Sequence, residues 1–166
     1  MKITTKTGDR LMTSTIKKRV YKNDPLINIE GHLDELQSQL MVAYSSNYNS
    51  NIKTILKSIV ENLFLVGYDI TSETEQVPQE WITNLEQQID TYEQILSPLK
   101  EFILPGKTLP AAQIHLARSV ARRTERVIVE YAIHHLVHPP VLIYMNRLSD
   151  LLFLLGRFVD EKDTSI

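Results

Sequence analysis

Apolar residues recur every three or four positions along most of the chain, which is the period of an amphipathic helix. The pattern predicts five helices, at about 31–46, 51–71, 78–99, 110–138 and 140–160. Polar residues 45–51, the pair Pro105-Gly106 and the pair Pro139-Pro140 separate neighbouring helices. Because the connections are short, the sequence predicts an all-α fold, an antiparallel five-helix bundle.

The first 30 residues have a different character, because they are polar and carry little helical periodicity. They predict an irregular N-terminal arm, 1–30, attached to a helical bundle, 31–160, within a single domain of 166 residues. Hydroxyl and basic side chains surround Gly8, and a glycine lets backbone amides approach a phosphate closely. The residue order does not match a Walker A loop. A flexible solvated arm explains the composition equally well.

The segment 115–126 contains four arginines within nine positions. Arg118, Arg122 and Arg126 are spaced i, i+4, i+8, so on a helix they form one stripe of like charges that repel each other. Guanidinium groups bind phosphate and carboxylate oxygens in bidentate fashion, so an anion against this stripe would relieve the repulsion. A solvated basic face is the simpler alternative.

Composition excludes several classes of function. The formal net charge of −2 and the pI near 6.2 argue against a general nucleic-acid-binding protein. With no cysteine, the chain has neither disulfides nor thiolate chemistry. The N-terminal residues lack the apolar stretch of a signal peptide, and no apolar run approaches the length of a membrane span. A cytoplasmic protein with no membrane partner is therefore expected.

Five segments, taken in order, resemble one family. They are 5–9, 31–36, 104–106, 115–126 and 144–150, and together they resemble PduO-type ATP:cob(I)alamin adenosyltransferases. The resemblance implies a five-helix bundle assembled as a homotrimer, with active sites between subunits. It implies transfer of the 5′-deoxyadenosyl group of ATP to cob(I)alamin, giving adenosylcobalamin and triphosphate. The substrates would be MgATP and the corrinoid, with no metal bound to the protein except the Mg²⁺ that accompanies ATP.

The resemblance also implies residues that bind ATP, matched to the positions of this sequence. In the arm they are Thr5, Lys6, Thr7, Gly8, Thr13, Ser14 and Lys22. In the helices they are Arg122, Arg123, Thr124, Glu125, Arg126 and Asn146. Arg122 would also act in catalysis on the leaving triphosphate, and Glu125 is expected to orient the arginines. Asn146, expected near the adenosine, lies on an otherwise apolar helix, where a buried amide needs partners.

Three further residues receive roles from the same resemblance. Phe102 would act in catalysis by lying against the corrin face and helping to displace the lower axial ligand of cobalt. Its simpler alternative is to plug the end of the bundle. Asp34 would pair with Arg118 across the subunit interface, although a purely structural pair is also compatible with the sequence.

Two positions near these motifs require separate interpretation. Leu11 stands where the family usually has glycine, and a left-handed backbone there would cost on the order of 1 kcal/mol. His134 and His138 are spaced i, i+4, which is compatible with metal binding. Since no third ligand is evident, we expect them instead near the carbonyls at a helix end.

Two other classes of function remain open at this point. One is a diverged protein of the same fold that binds or delivers ATP or adenosylcobalamin without catalysis. The other is a helical interaction protein whose arginines pair with a partner's carboxylates. For an active enzyme, a corrinoid reductase or an adenosylcobalamin-dependent enzyme is an expected partner.

Overall fold

The computed structural model describes residue 4, residues 6–99 and residues 102–163. Five helices account for most of this part of the chain, which confirms the predicted all-α antiparallel bundle. They are α1 (Pro25–Ser46), α2 (Ser50–Ser72), α3 (Gln79–Ile95), α4 (Leu109–Ala132) and α5 (Pro139–Asp163).

The core is formed by the apolar stripes of the helices. Helix α1 packs against α2 and α4, while α5 packs against α4 and α3 and also touches α2. Leu36 and Leu40 of α1 and Ile114 and Ala121 of α4 have no solvent-exposed surface. Within each helix the two residues are spaced by about whole turns, so the 3.6-residue period places both on the inward face. Burial of these apolar side chains stabilises the bundle through the hydrophobic effect.

Helix α1 begins at Pro25, six residues before the predicted start. The Asp24 side chain accepts a hydrogen bond from the Leu26 backbone amide at 2.9 Å and caps the helix. Pro25 occupies the first turn, where its missing N–H is not needed. The arm therefore ends at Asp24 rather than at residue 30.

Helix α3 ends at Ile95, so the predicted extension to Leu99 is wrong. The Leu96 amide donates to the Tyr92 carbonyl and closes the helix, and Leu99 is exposed. Pro98 disfavours helical geometry at the residue before it, which explains the early end.

Helix α4 also ends early, at Ala132 rather than at 138, so His134 and His138 do not share a helix face. The expectation that both lie near helix-end carbonyls is wrong for His138. Its Nδ1 lies 2.8 Å from Oδ1 of Asp69, a fully buried carboxylate that also accepts a hydrogen bond from the Gln76 amide at 2.7 Å. This histidine therefore joins the α4–α5 connection to the α2–α3 connection.

The N-terminal arm contains regular structure that was not predicted. Strand β1 (Met12–Ser14) pairs antiparallel with β2 (Arg19–Tyr21). Lys17, in the turn between them, forms a 2.6 Å ion pair with Glu73 at the end of α2. A hydrogen bond from Lys17 and its positive charge lower the pKa of Glu73. The arm is thus a short hairpin tethered to one end of the bundle.

Among the described residues, no helix combines the length and the apolar character needed to cross a membrane.

Candidate active site

A groove of about 680 Å³ lies between the end of α3 and the facing sides of α4 and α5. Arg118 and Arg122, one turn apart on α4, line one wall. The groove also contains charged and aromatic side chains from the other two helices, namely Glu93, Asp150, Phe153 and Arg157. Three arginines and two carboxylates around one cavity give it a net positive lining that suits an anionic ligand.

Arg118 is incompletely paired within the chain. Its Nε is buried and has no hydrogen-bond partner among the described residues. Its guanidinium carbon lies 5.6 Å from the centroid of the Phe153 ring, a cation–π geometry. A buried guanidinium N–H without an acceptor costs free energy, so this arginine is suited to a carboxylate or phosphate from outside the subunit.

The remaining arginines of the run, Arg123 and Arg126, do not line this groove. Arg123 forms an ion pair with Glu35 of α1, and Arg126 is exposed. Thr124 has no exposed surface, and its hydroxyl donates to the carbonyls of His32 at 3.3 Å and Val120 at 3.0 Å. Arg123 and Thr124 therefore join α4 to α1, and Thr124 offers no free hydroxyl to a ligand in this geometry.

Asn146 is exposed, so the expectation of a buried amide is wrong. Both ends of its side chain are nevertheless paired. Nδ2 donates to Oε1 of Glu125 at 3.0 Å, and Oδ1 accepts from Nη1 of Arg147 at 2.9 Å. In this structure the side chain that Glu125 orients is therefore Asn146, whereas the expectation was that Glu125 orients the arginines.

The arm brings several predicted ATP-binding residues together. A β-carbon built on Gly8 would lie 3.3 Å from Nζ of Lys22, so the lysine ammonium covers this glycine although 14 positions separate them. Arg19 Nη2 donates to the Thr7 carbonyl at 2.9 Å. Lys6 also belongs to this loop, whereas Thr13 and Ser14 lie in β1, and Thr5 lies outside the described residues.

The backbone of this loop contains the left-handed residue that the sequence suggested. Leu11 has φ of 62° and an exposed side chain, and Lys6 has φ of 59°. Together they bracket the segment 7–10. For a leucine, this conformation costs on the order of 1 kcal/mol, and a glycine adopts it without that cost.

We therefore expect Leu11→Gly to stabilise the closed arm. The Lys22 amide donates to the Leu11 carbonyl at 2.9 Å, so its hydrogen exchange reports the loop directly. Removing about 1 kcal/mol of strain should slow that exchange by about fivefold. Met12→Gly is the control, because it removes a neighbouring side chain from a strand and should not slow exchange. If the Lys22 amide of Leu11→Gly exchanges as fast as in wild type, or faster, the claim that Leu11 is strained is wrong.

Phe102 stands at the start of the loop before α4 and is fully exposed. It therefore does not plug the end of the bundle in this chain. Gly106 turns the loop with φ of 80°, and a β-carbon there would lie only 2.5 Å from the Cα of Ala112. The loop is thus held tightly against the first turn of α4 while its aromatic residue faces outward.

Within the described part of the chain, the arm and the arginine groove are separate. None of the described arm residues lines that groove, whereas Lys22 lines a separate cavity with Tyr131, His134 and His135. Asp34 is exposed on α1, and no contact with Arg118 is present among the described residues. The arginine groove and the Lys22 end of the arm thus lie on different sides of α4.

Sequence reasoning missed several residues that line the groove. Glu93, Phe153 and Arg157 carried no motif, although Asp150 closes the segment 144–150. Phe153 and Arg157 follow Asp150 at i+3 and i+7, which places all three on one face of α5. That spacing was the available signal.

His115 lies next to the groove and is almost completely buried. Neither ring nitrogen has a hydrogen-bond partner among the described residues, and the ring packs edge-on to Phe153 and against Gly156. Burial, and secondarily the positive charge of Arg118, lower the pKa of His115, while Asp160 partly opposes the shift. The folded protein therefore favours the neutral ring.

This shift predicts a loss of stability in mild acid. Stability from neutral His115 is complete above the unfolded pKa of about 6.5 and falls as pH drops below it, because the unfolded state then binds more protons. The contribution is at most about 1.4 kcal/mol per pH unit. Urea unfolding of wild type and His115→Gln between pH 7.5 and 5, at about half-unit steps, should give a shallower pH dependence for the variant. His134→Gln, an exposed histidine, is the control, and equal slopes for all three proteins would contradict the prediction.

Within residue 4, residues 6–99 and residues 102–163, no group of three or more histidine, cysteine, aspartate or glutamate side chains is arranged to bind a metal. The site is instead defined by guanidinium groups, a hydroxyl- and lysine-containing loop, and an exposed phenylalanine on a bundle. Guanidinium groups bind phosphate and carboxylate oxygens well, so the arginine groove suits an anionic ligand.

Comparison with known proteins identifies the family. A family model described as cobalamin adenosyltransferase matches residues 3–159, and the chain belongs to this family. It is 38% identical over 169 residues to corrinoid adenosyltransferase PduO of Salmonella typhimurium, covering 97% of the chain and 50% of that protein. The chain therefore spans about half the length of this relative. It is 35% identical to a corrinoid adenosyltransferase of Citrobacter freundii, covering 94% of the chain and 93% of the relative.

Solved structures agree with this assignment. A phenylalanine-to-alanine variant of a PduO-type ATP:corrinoid adenosyltransferase from Lactobacillus reuteri, complexed with cobalamin and ATP, matches with a TM-score of 0.91 and 34% identity. That match covers 98% of this chain and 96% of the other. An arginine-to-lysine variant from the same organism, complexed with ATP, matches with a TM-score of 0.89 and 35% identity, covering 98% and 96%.

Proposed function

We propose that this chain transfers the 5′-deoxyadenosyl group of ATP to cob(I)alamin, producing adenosylcobalamin and triphosphate. Family membership supports the proposed reaction. One structural observation supports a site that is shared between subunits. Arg118 and Arg122 line an open groove on a side of α4 that no described residue of the same chain's arm lines. A second subunit would bring its own arm to these arginines, so we propose a homotrimer with active sites between subunits.

The reaction needs charge stabilisation more than proton transfer. The cobalt of cob(I)alamin supplies an electron pair and forms a bond to C5′ of the ribose. The bond between C5′ and the triphosphate oxygen breaks, and its electron pair leaves with the triphosphate. Because negative charge grows on the leaving group, preorganised guanidinium groups are the appropriate catalytic contribution. Arg122, exposed in the groove, takes this role.

The triphosphate would lie between two basic elements. One is the arm loop, where Lys22 covers Gly8 between the left-handed residues Lys6 and Leu11. The other is the neighbouring subunit's α4, with Arg122 and Arg126. Two such elements hold the nucleotide in a fixed orientation, which lowers the entropic part of the barrier. Mg²⁺ would enter with ATP as part of the substrate.

Asn146 and Glu125 fit a place near the adenosine. Their mutual hydrogen bond at 3.0 Å fixes the amide, so its remaining donor and acceptor capacity has a defined direction. An oriented amide of this kind discriminates among bases through paired donors and acceptors.

The corrinoid would lie on the apolar side of the site, against Phe102. The fully exposed aromatic ring offers a flat apolar surface without any rearrangement of the bundle. Such a surface can occupy the position of the lower axial ligand and favour a four-coordinate cobalt(II), which is easier to reduce to cobalt(I). We further propose a cytoplasmic reaction, with a corrinoid reductase and an adenosylcobalamin-dependent enzyme as partners.

The test is direct. Chemically reduced cob(I)alamin and MgATP, mixed anaerobically with the protein, should give the absorbance change of adenosylcobalamin formation and an equivalent amount of triphosphate. Light scattering after size exclusion should give the mass of a trimer. If calorimetry shows that ATP binds but no adenosylcobalamin forms, the proposed transferase activity is wrong.

The second candidate is a protein of the same fold that binds or delivers ATP or adenosylcobalamin without catalysis. The observation that favours it is the left-handed Leu11, which adds strain to the loop that should close over the phosphates. ATP binding without turnover, restored to turnover by Leu11→Gly, would support this second function for the natural chain.

A further inference from the structure

Asp160 is a buried carboxylate near the end of α5, and it faces the loop between α3 and α4. Its Oδ2 accepts a hydrogen bond from the Gly106 amide at 3.0 Å, and its Oδ1 accepts one from the Thr108 amide at 3.0 Å. The Thr108 hydroxyl lies at 3.5 Å from the same Oδ1. Hydrogen bonds to an ionised carboxylate are about twice as strong as neutral ones.

Among the described residues, the segment 102–108 has one other side-chain hydrogen bond to the bundle, in which the Thr108 hydroxyl accepts from the Ala111 amide at 3.4 Å. Phe102 and Leu104 are largely exposed, so burial does not hold them. Both side-chain hydrogen bonds described for the backbone of this segment end on Asp160. On the opposite side, Gly106 lies against Ala112 so closely that no side chain fits between them. The loop is thus clamped between α4 and one carboxylate of α5.

The clamp lies close to Phe102 along the chain. Only three residues separate Phe102 from Gly106, and a short segment fixed at its base transmits small displacements to its tip. A ring whose position depends on its backbone, and not on packing, is sensitive to the loss of a backbone anchor. Asp160 itself is only 7% exposed, so it has little surface to offer a substrate.

We infer that Asp160 is a positioning residue for the corrinoid half of the site, acting through the loop that carries Phe102. The inference rests on the proposed function, because it requires that Phe102 meets the corrin. Asp160 would then affect the use of the corrinoid but not the use of ATP. The reason is that Asp160 lines neither the arginine groove nor the cavity beside the arm.

The test compares Asp160→Asn with wild type in steady-state kinetics for both substrates. Asparagine keeps the size but loses the charge and one acceptor, so kcat/KM for cob(I)alamin should fall by about tenfold. The KM for ATP should stay within about twofold, because ATP binding does not pass through the loop. Asp90→Asn, an exposed aspartate of α3, is the matched control and should change neither value.

Two further readouts separate positioning from a general loss of structure. When cob(II)alamin and MgATP are bound, the four-coordinate fraction measured by electron paramagnetic resonance should fall in Asp160→Asn. Added to Phe102→Ala, the Asp160→Asn change should cause little further loss, because both act through one ring. Amide exchange at Gly106 and Thr108 should accelerate in Asp160→Asn while the thermal midpoint of the bundle shifts little.

Equal losses for ATP and corrinoid, or fully additive losses with Phe102→Ala, would overturn the inference. Wild type that forms no adenosylcobalamin would instead refute the proposed function itself. Active wild type with an unaffected Asp160→Asn variant would refute only the positioning role.

Discussion

Arg122→Ala is expected to lower kcat/KM for ATP by at least about 100-fold while the bundle stays folded. Removing one preorganised donor to developing negative charge costs roughly 100-fold to 1,000-fold in comparable sites. Arg122 is exposed in the groove, so its removal leaves no cavity in the core. Adenosylcobalamin formation followed by absorbance, together with thermal unfolding by circular dichroism, measures both parts of the prediction.

Arg122→Lys separates charge from shape. Lysine keeps the positive charge but lacks the planar fork that binds two oxygens, so we expect an intermediate activity. Lys57→Ala on the exposed face of α2 removes a remote positive charge and should leave activity unchanged. If Arg122→Ala unfolds the bundle, or binds and turns over ATP as wild type does, the proposed catalytic role of Arg122 is wrong.

The second large effect is expected at the subunit interface. In the proposed homotrimer, Arg118→Ala should raise the dissociation constant by at least about 30-fold, because it would leave the partner subunit's Asp34 without its proposed counter-ion. The buried, unpaired Nε of Arg118 and the exposed position of Asp34 on α1 are the observations behind this expectation. Analytical ultracentrifugation over a range of concentrations measures the constant.

A charge reversal provides the control for this pair. Asp34→Arg alone should weaken the trimer, and combining it with Arg118→Asp should restore much of the loss, since opposite charges would meet again across the interface. Asp90→Arg, a similar change on α3, should not affect assembly. An intact trimer and full activity in Arg118→Ala would refute the pairing.

Local patterns predicted the five helices because burial of an apolar stripe requires the helical period. They were less reliable at helix ends. Asp24 and Pro25 are sufficient to start α1 early, but a cap competes with loop conformations and is visible only when its hydrogen bond forms. His134 and His138 illustrate the same difficulty, since their i, i+4 spacing has meaning only if the helix continues through both.

The candidate site shows a similar division between spacing and contacts. The i, i+4 relation of Arg118 and Arg122 was sufficient to place them on one wall. Two contacts join α4 to α1, namely the ion pair of Arg123 with Glu35 and the hydrogen bond of Thr124 to the His32 carbonyl. Because α1 and α4 are far apart in the sequence, no local pattern predicts these contacts. Predicted ATP-binding roles for these residues stay predictions.

The sequence by itself determined the helical class, the separate polar arm and the arginine spacing. Each follows from local preferences of the backbone or from periodicity, which act over a few residues. Only the tertiary structure decided that Leu11 is left-handed and that Nε of Arg118 has no hydrogen-bond partner among the described residues. It also decided that His138 contacts Asp69 and that Asp160 binds the loop that follows Phe102. These last two contacts join residues more than 50 positions apart, so they exist only after the helices have packed and set which faces meet.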